Sequence, residues 1–266
     1  SKSSDFLYDN TAHLFYRDSR YFTKREANGE KVFWSRGNGW VMGGLVRVLT
    51  VLPDNNPAKP ALIKQFREMS ETIAVLQQPD GSWHASLLDP SAYPVKETSG
   101  TAFFCYALAW GINNGYLPLS KYKTTIDQAW QALISSVHEN GKLGFVQPQG
   151  ASPDKVTFDD TDVYGVGAFL LAGVEIMKLT TDGTGKSLLV ILTNKTSLPS
   201  QITDQFNFPQ QKNKHPQKPT VINIQTGEIH PVSIKYNSKG KQTGVVITDQ
   251  LQAGTTQYYL LSNKKS

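Results

Sequence analysis

Apolar positions recur at helical spacing through the first two thirds of the chain and at strand-like alternation after it. From Trp40 to Leu52 the spacing is helical, and Pro53-Asp54-Asn55-Asn56-Pro57 stops it. Pro60 to Gln78 predicts a second helix, with Leu62, Phe66, Met69, Ile73 and Leu76 on one face. Ser99 to Gly111 predicts a third, apolar on nearly every side and so expected to be buried. Tyr122 to His138 reads as an amphipathic fourth, closed by Asn140-Gly141, and Tyr164 to Leu179 as a small-residue, apolar fifth. Ser1 to Tyr8 is too short to be a packed element alone.

These helices repeat. The apolar ones begin at Gly39, Gly100 and Gly165, spaced 61 and 65 residues apart, with the amphipathic ones between them. A helix pair that cannot bury its apolar member alone must stack on neighbours. Buried inner helices alternating with amphipathic outer ones describe a mainly α toroid, of which residues 1–181 supply about two and a half pairs. A closed ring needs more, so the expectation is a partial barrel that begins partway round, with a second chain as one way to complete it.

Beyond Thr181-Asp182-Gly183 the pattern changes. Ser187–Thr193, Thr220–Ile224, Val232–Tyr236, Gly244–Thr248 and Thr255–Leu261 are β-branched or aromatic runs between turn residues. Residues 182–266 are therefore expected to form a small antiparallel β-sandwich, with a polar loop at Gln210–Pro219.

Composition narrows the partners. Of 266 residues, 39% are hydrophobic and 18% charged, which describes an ordinary globular chain. The net charge of +5 is uneven: residues 183–266 hold ten lysines, no arginine and three acids. Those lysines are scattered without aromatic interleaving, so they read as a solvated face and nucleic-acid binding is not expected. No apolar run reaches membrane-spanning length, and Ser1-Lys2-Ser3-Ser4-Asp5 is not a signal peptide. The lone Cys105, in Phe103-Phe104-Cys105-Tyr106, reads as a buried small hydrophobe. No metal cluster, nucleotide loop or catalytic-triad pattern is present, and no cofactor is expected.

The candidate chemistry centres on Phe33-Trp34-Ser35-Arg36-Gly37-Asn38-Gly39-Trp40, where two indoles, a guanidinium and a carboxamide surround two glycines ahead of a helix. That set suits an acidic sugar, stacked on indole and forked by Arg36. The competing reading makes both indoles core and pairs Arg36 with a structural acid. Asn38 either orients a sugar hydroxyl or tolerates a turn. Trp83 and His84 occupy the equivalent mouth position of the next repeat and join the candidates. Thr98 and Ser99, like Asp160-Thr161-Asp162, precede inner helices and serve either as N-caps or as substrate contacts.

Trp34-x-Arg36-Gly37-Asn38-Gly39-Trp40, Glu97-Thr98-Ser99-Gly100 and Tyr164-Gly165-Val166-Gly167-Ala168-Phe169 together resemble the unsaturated rhamnogalacturonyl hydrolases, relatives of the unsaturated glucuronyl hydrolases. The resemblance covers roughly residues 5–180 and implies an (α/α)6 barrel. It also implies a reaction. A Δ4,5-unsaturated uronic acid at the non-reducing end is hydrated by protonation of its enol ether, and the resulting hemiketal collapses to release the neighbouring sugar. One Asp serves as acid and base, with a pKa tuned toward working pH.

In the family that Asp lies upstream of the segment matching Ser1–Tyr8, so the catalytic residue is expected outside this chain. Asp18 and Asp160 are the in-chain acids considered as substitutes. Where the family carries a His, Tyr16-Arg17 stand here, making Arg17 a candidate contact for substrate acid. The β domain is not part of the core family. The resemblance favours a periplasmic or extracytoplasmic site of action and an acidic oligosaccharide as partner. The rival readings are a non-catalytic carbohydrate-binding or scaffold protein and another α/α-toroid enzyme, an epimerase or a lyase.

Overall fold

A computed structural model describes residues 2–150, 152–180, 188–207, 218–223, 228–236, 238 and 242–264. The chain divides into two compact units, Ser1–Ile176 and Met177–Ser266. The first is mainly helical: α1 (Lys2–Leu7), α2 (Ser35–Val51), α3 (Lys59–Val75), α4 (Thr98–Asn113), α5 (Leu119–Ile134) and α6 (Val163–Thr180, which runs on past the division). Two short hairpins interrupt them, β1 (Tyr8–Asp9) with β2 (Leu14–Phe15), and β3 (Trp83–His84) with β4 (Lys96–Glu97). The described helices do not close a ring.

The helix expected from Trp40 starts five residues earlier, at Ser35. Arg36, Gly37, Asn38 and Gly39 are thus helical, and the glycines are not a turn feeding the helix. Gly39 serves packing instead: a Cβ there would lie 2.9 Å from the Phe103 Cβ of α4. A Cβ on Gly100 of α4 would likewise meet Ser35 Oγ at 2.8 Å. The N-terminal halves of α2 and α4 therefore approach more closely than side chains would allow. Around that contact α4 is buried from Thr98 through Gly111, and α2 buries Met42, Leu45, Val46 and Leu49. Amphipathic α3 and α5 bury Phe66, Met69 and Ile73, and Tyr122, Ile126, Ala129 and Leu133. Cys105 lies fully buried in α4, and burial pushes its thiol far above the ordinary range, leaving it inert.

Several boundaries differ from expectation for local reasons. α5 begins at Leu119 and stops at Ile134, because the Ser136 hydroxyl turns back to the Ala132 carbonyl (2.7 Å) and Val137 bridges to Leu143. α3 stops at Val75, ahead of a turn in which Gly81 takes a φ of +82°. Residues 2–7 do form a helix, though one with no buried residue.

Two interactions fix the segment before Arg17. Phe15 N–H donates to Asn38 Oδ1 (2.8 Å), and Asn38 Nδ2 donates to the Phe15 and Trp34 carbonyls (3.1 Å each). Asp9 accepts from Thr11 N (3.0 Å), Ala12 N (2.9 Å), Tyr16 OH (2.9 Å) and Lys31 Nζ (2.6 Å). Burial pushes the Asp9 carboxyl up, but these donors, led by Lys31, outweigh it and hold it at about 2.

The second unit contains β5 (Leu188–Thr193), β6 (Ser200–Asn207), β7 (Lys218–Asn223), β8 (Ile229–His230), β9 (Val232–Tyr236), β10 (Gln242–Leu251) and β11 (Thr256–Lys264). They form a three-stranded sheet, β6-β10-β9, and a four-stranded one, β5-β11-β7-β8, with every pairing antiparallel. One core joins both sheets: Leu192, Val221 and Tyr259 from one, Val245, Ile247 and Leu251 from the other. β6 escapes sequence reading because Ser200-Gln201-Ile202-Thr203-Asp204 is mostly polar; its Ile202 packs against this core. The expected loop at Gln210–Pro219 falls mostly outside the described residues, and its last two residues open β7.

Two predictions test the fold. A Gly39→Ala change gains about 1 kcal/mol of helix propensity but overpacks the α2–α4 contact by about 1–3 kcal/mol, so a net loss is expected in urea denaturation. Gly44→Ala, with nothing within 4 Å of its new Cβ, should gain stability instead. Asp9 has a folded-state pKa below the ordinary 3.8, so its contribution is present above about pH 4 and is lost as pH falls toward 2. Asp9→Asn should lower the melting temperature at neutral pH, and the gap to wild type should narrow over that acid window.

Candidate functional site

A cavity of about 100 Å³ opens where α2 and α4 begin. Trp34, Ser35, Arg36, Gly37 and Trp40 line it from one side; Arg17, Ala85, Glu97, Gln147, Gly150 and Pro153 complete it. The Trp40 side chain faces outward, 53% exposed, over Phe103 (ring centroids 4.5 Å apart) and stacked near Tyr164 (6.1 Å, 30° between planes). That is a supported indole face open to solvent, the form a sugar platform takes. Trp34 stands edge-on between Tyr21 and Tyr93, and its Nε1 is buried with no hydrogen-bond partner. A buried indole N–H without a partner costs about 1–3 kcal/mol.

Arg36 is not paired with a structural acid. Among the described residues its partners are all neutral oxygens: the Pro148 carbonyl, the Gly150 carbonyl (3.2 Å) and the Tyr164 hydroxyl (3.3 Å). The loop supplying those carbonyls is braced by Gln147, whose side chain bonds Asp154 O and N (2.8 Å each). Burial pushes the Tyr164 phenol up, partly offset by Arg36, so it stays a neutral hydroxyl that accepts from Arg36 and donates to the Gln147 carbonyl.

Glu97 is the acid lining the cavity, and it is fully buried. It N-caps α4, accepting from Ser99 N (2.9 Å), Gly100 N (2.7 Å) and Ser99 Oγ (2.5 Å), with Ser35 Oγ at 3.4 Å. A helix N-terminus and four donors stabilise the carboxylate there. Its role is to hold α2, α4 and the Gln147 loop together. The sequence offered one signal for it, a Glu directly before an apolar helix, but Glu is outside the usual N-cap set of Ser, Thr, Asp and Asn.

The other sequence candidates divide. Trp83 is core: it is fully buried, and its Nε1 donates to the Ile73 carbonyl (2.8 Å). His84 rests its Nδ1 against the Pro90 carbonyl (3.1 Å) and does not line the cavity. Asn38 spends its carboxamide on Phe15 and Trp34, away from the lining. Thr98 and Ser99 are inside the first turn of α4 and do not cap it; Thr98 donates to the Gly144 carbonyl (2.7 Å) and Ser99 to Glu97. Arg17, Trp34, Arg36 and Trp40 are brought together. Of the two substitute acids, Asp18 is held well below the usual carboxylate range by Arg20 and Arg17, and Asp160 accepts from Thr157 N and Oγ1. Neither residue lines the cavity. Among the described residues no cluster could hold a metal ion, and no helix is long and apolar enough to cross a membrane.

Residues 1–180, which hold the whole cavity lining, match the family model of Glycosyl Hydrolase Family 88. The chain belongs to glycosyl hydrolase family 88. Residues of this family 88 region are 44% identical over 179 residues to a protein of Formosa agariphila named unsaturated 3S-rhamnoglycuronyl hydrolase, covering 65% of this chain and 48% of that one. Two solved structures are also similar. One, a glycosyl hydrolase family 88 protein from Bacteroides vulgatus, has a TM-score of 0.64 and 39% identity over 66% of this chain and 52% of its own. The other, named a polysaccharide lyase, has a TM-score of 0.65 and 41% identity over 68% and 52%. The chain spans about half the length of the curated relatives it matches.

Tyr164 was legible as part of a motif and not as a site residue. Tyr164→Phe keeps the ring beside Trp40 and removes the hydroxyl that aligns Arg36. The expected result is a loss of about 1 kcal/mol of stability, read as a lower urea midpoint.

Proposed function

We propose that this chain carries one wall of the active site of a glycoside hydrolase that removes a Δ4,5-unsaturated uronic acid from the non-reducing end of lyase-generated acidic oligosaccharides. The observation that carries this reading is the pairing of exposed Trp40 with Arg36, whose partners are neutral oxygens, in one cavity. A flat unsaturated ring stacks on indole, and its carboxylate takes the guanidinium in a fork. Membership of family 88, and the unsaturated rhamnoglycuronyl hydrolase name of a relative, support the substrate class. In this reading the helices are part of an (α/α)6 toroid.

Hydration begins with proton delivery to the enol ether. Glu97 is spent on the α4 cap, Asp18 on arginines and Asp160 on Thr157, so the donor is assigned to polypeptide beyond this wall. The wall's own task is to hold the ring flat, neutralise the carboxylate and fix the double bond against the donor.

A second reading, a lyase, is favoured by the solved structure of that name. The two differ in the sign of one signal. A hydrolase consumes the absorbing enol-ether double bond; a lyase creates it. Loss of that absorbance, by a longer form of the protein given an unsaturated uronyl disaccharide, is expected. A gain from saturated polymer would establish the lyase instead. The 266-residue chain alone should bind the disaccharide without turning it over, and Arg36→Gln or Trp40→Ala should each weaken binding by about tenfold or more.

A further inference from the structure

We propose that a second cavity, formed by α3, α5 and the loop that joins α4 to α5, is a surface site for a saturated acidic sugar, one bearing a carboxylate or a sulfate. The choice of an acidic glycan rests in part on the function proposed above; the site itself is separate from the cavity where α2 and α4 begin.

This cavity has a volume of about 370 Å³, within the range of roughly 300–1,000 Å³ that holds small ligands. Arg67 and Glu71 of α3, Tyr116 and Leu117 of the loop, and Lys121 and Tyr122 of α5 line it. It lies at the opposite end of α4 from the first cavity. Glu97, which caps the start of α4, lines the first, whereas the loop that follows Asn113 lines the second. The 16 helical residues between them span roughly 24 Å at 1.5 Å per residue. One sugar ring cannot touch both.

Charge singles out Arg67. Glu71, the acid one turn further along α3, is the partner helix spacing would give it. That carboxylate is taken instead by Lys121 of α5 (2.5 Å). The Lys121 hydrogen bond holds the Glu71 carboxyl below its ordinary range, so it stays ionised and the two charges cancel. Arg67 spends Nε on the Tyr116 carbonyl (3.0 Å) and, among the described residues, forms no ion pair. Its two terminal nitrogens are left for a ligand, and the paired oxygens of a carboxylate or sulfate fit that planar fork.

The remaining lining suits a sugar ring. Tyr116 is half-buried and stacked on Trp110, with ring centroids 5.2 Å apart and 22° between planes. Such a backed aromatic packs well against the C–H groups of a pyranose. The Lys121–Glu71 pair adds a donor and an acceptor for hydroxyls. The loop is also preset. Tyr116 and Leu117 both donate their N–H to the Gly111 carbonyl (2.8 and 3.0 Å), and Arg67 ties the Tyr116 carbonyl to α3. A ligand therefore binds without having to order this wall.

The test is calorimetric titration of the 266-residue chain carrying Arg36→Gln, which weakens the first cavity. Three saturated probes are used: trigalacturonate, its fully methyl-esterified form, and a neutral trisaccharide bearing one O-sulfate. At least one charged probe is expected to bind about tenfold more tightly than the ester, and the stronger of the two identifies the anion. Adding Arg67→Gln should bring that ratio close to one, whatever it does to overall affinity, and Arg67→Lys should keep part of it. The preference should also fall with added salt. No binding of any probe, equal binding of all three, or an unchanged ratio after Arg67→Gln overturns the proposal. The earlier reading is tested apart from this, with a Δ4,5-unsaturated uronyl disaccharide, which Arg67→Gln alone should bind as wild type does. Failure of wild type to bind that disaccharide sinks the first-cavity reading and leaves the Arg67 ratio to stand or fall by itself.

Discussion

The crossing of α2 and α4 at Gly39, Gly100 and Phe103 is the constraint on which the helical unit depends. With side chains larger than hydrogen at those glycines, the two helix starts could not lie this close. Once they do, the Ser35 hydroxyl at the start of α2 meets the free N–H groups at the start of α4, and a buried carboxylate becomes stable between them. Glu97 fills that place and binds Ser35, the first residue of α2, as well as its own helix. A carboxylate removed from water costs several kcal/mol unless it is fully hydrogen-bonded, so the helix crossing and the Glu97 cap each require the other.

From that junction the site follows by short steps. Ser99, bonded to Glu97, lies 3.4 Å from the Tyr164 hydroxyl, and Tyr164 in turn holds Arg36 while its ring stacks near Trp40. Residues from 34 to 164 in the chain thus meet around one small cavity. The polar groups facing a ligand are held by partners on rigid helices and by a loop stitched at Gln147 and Asp154. Preorganisation of this kind is what lets a shallow wall orient a sugar before any chemistry occurs. The β unit has its own core between two sheets, and the family model stops at residue 180, just ahead of it.

Helix spacing, the alternation of apolar and amphipathic helices and the change of pattern after Asp182 were all readable, because burial periodicity is a local property of sequence. Trp40 and Arg36 were readable as neighbouring residue types suited to one ligand, but that they share a helix face, four residues apart, emerged only with the start of α2 at Ser35. Trp83 shows the limit of such reasoning. By its place in the repeat it looked equivalent to a mouth residue, but the Ile73 carbonyl and Phe104 draw it wholly into the core. Asn38 shows it too: a carboxamide that orients a sugar hydroxyl is indistinguishable by type from one that splices Phe15 to a helix.

What the sequence alone determined is therefore the class of each segment and the kind of ligand its residue types suit. Helix periodicity, turn residues and the chemistry of indole and guanidinium act over a few positions. Which polar groups stay available was decided only by tertiary structure. Arg36 found neutral oxygens 112 and 128 residues away, and Glu97 met the Ser35 hydroxyl 62 residues away in addition to its own helix end. Hydrogen-bond saturation depends on every neighbour in space, and those neighbours come from distant parts of the chain.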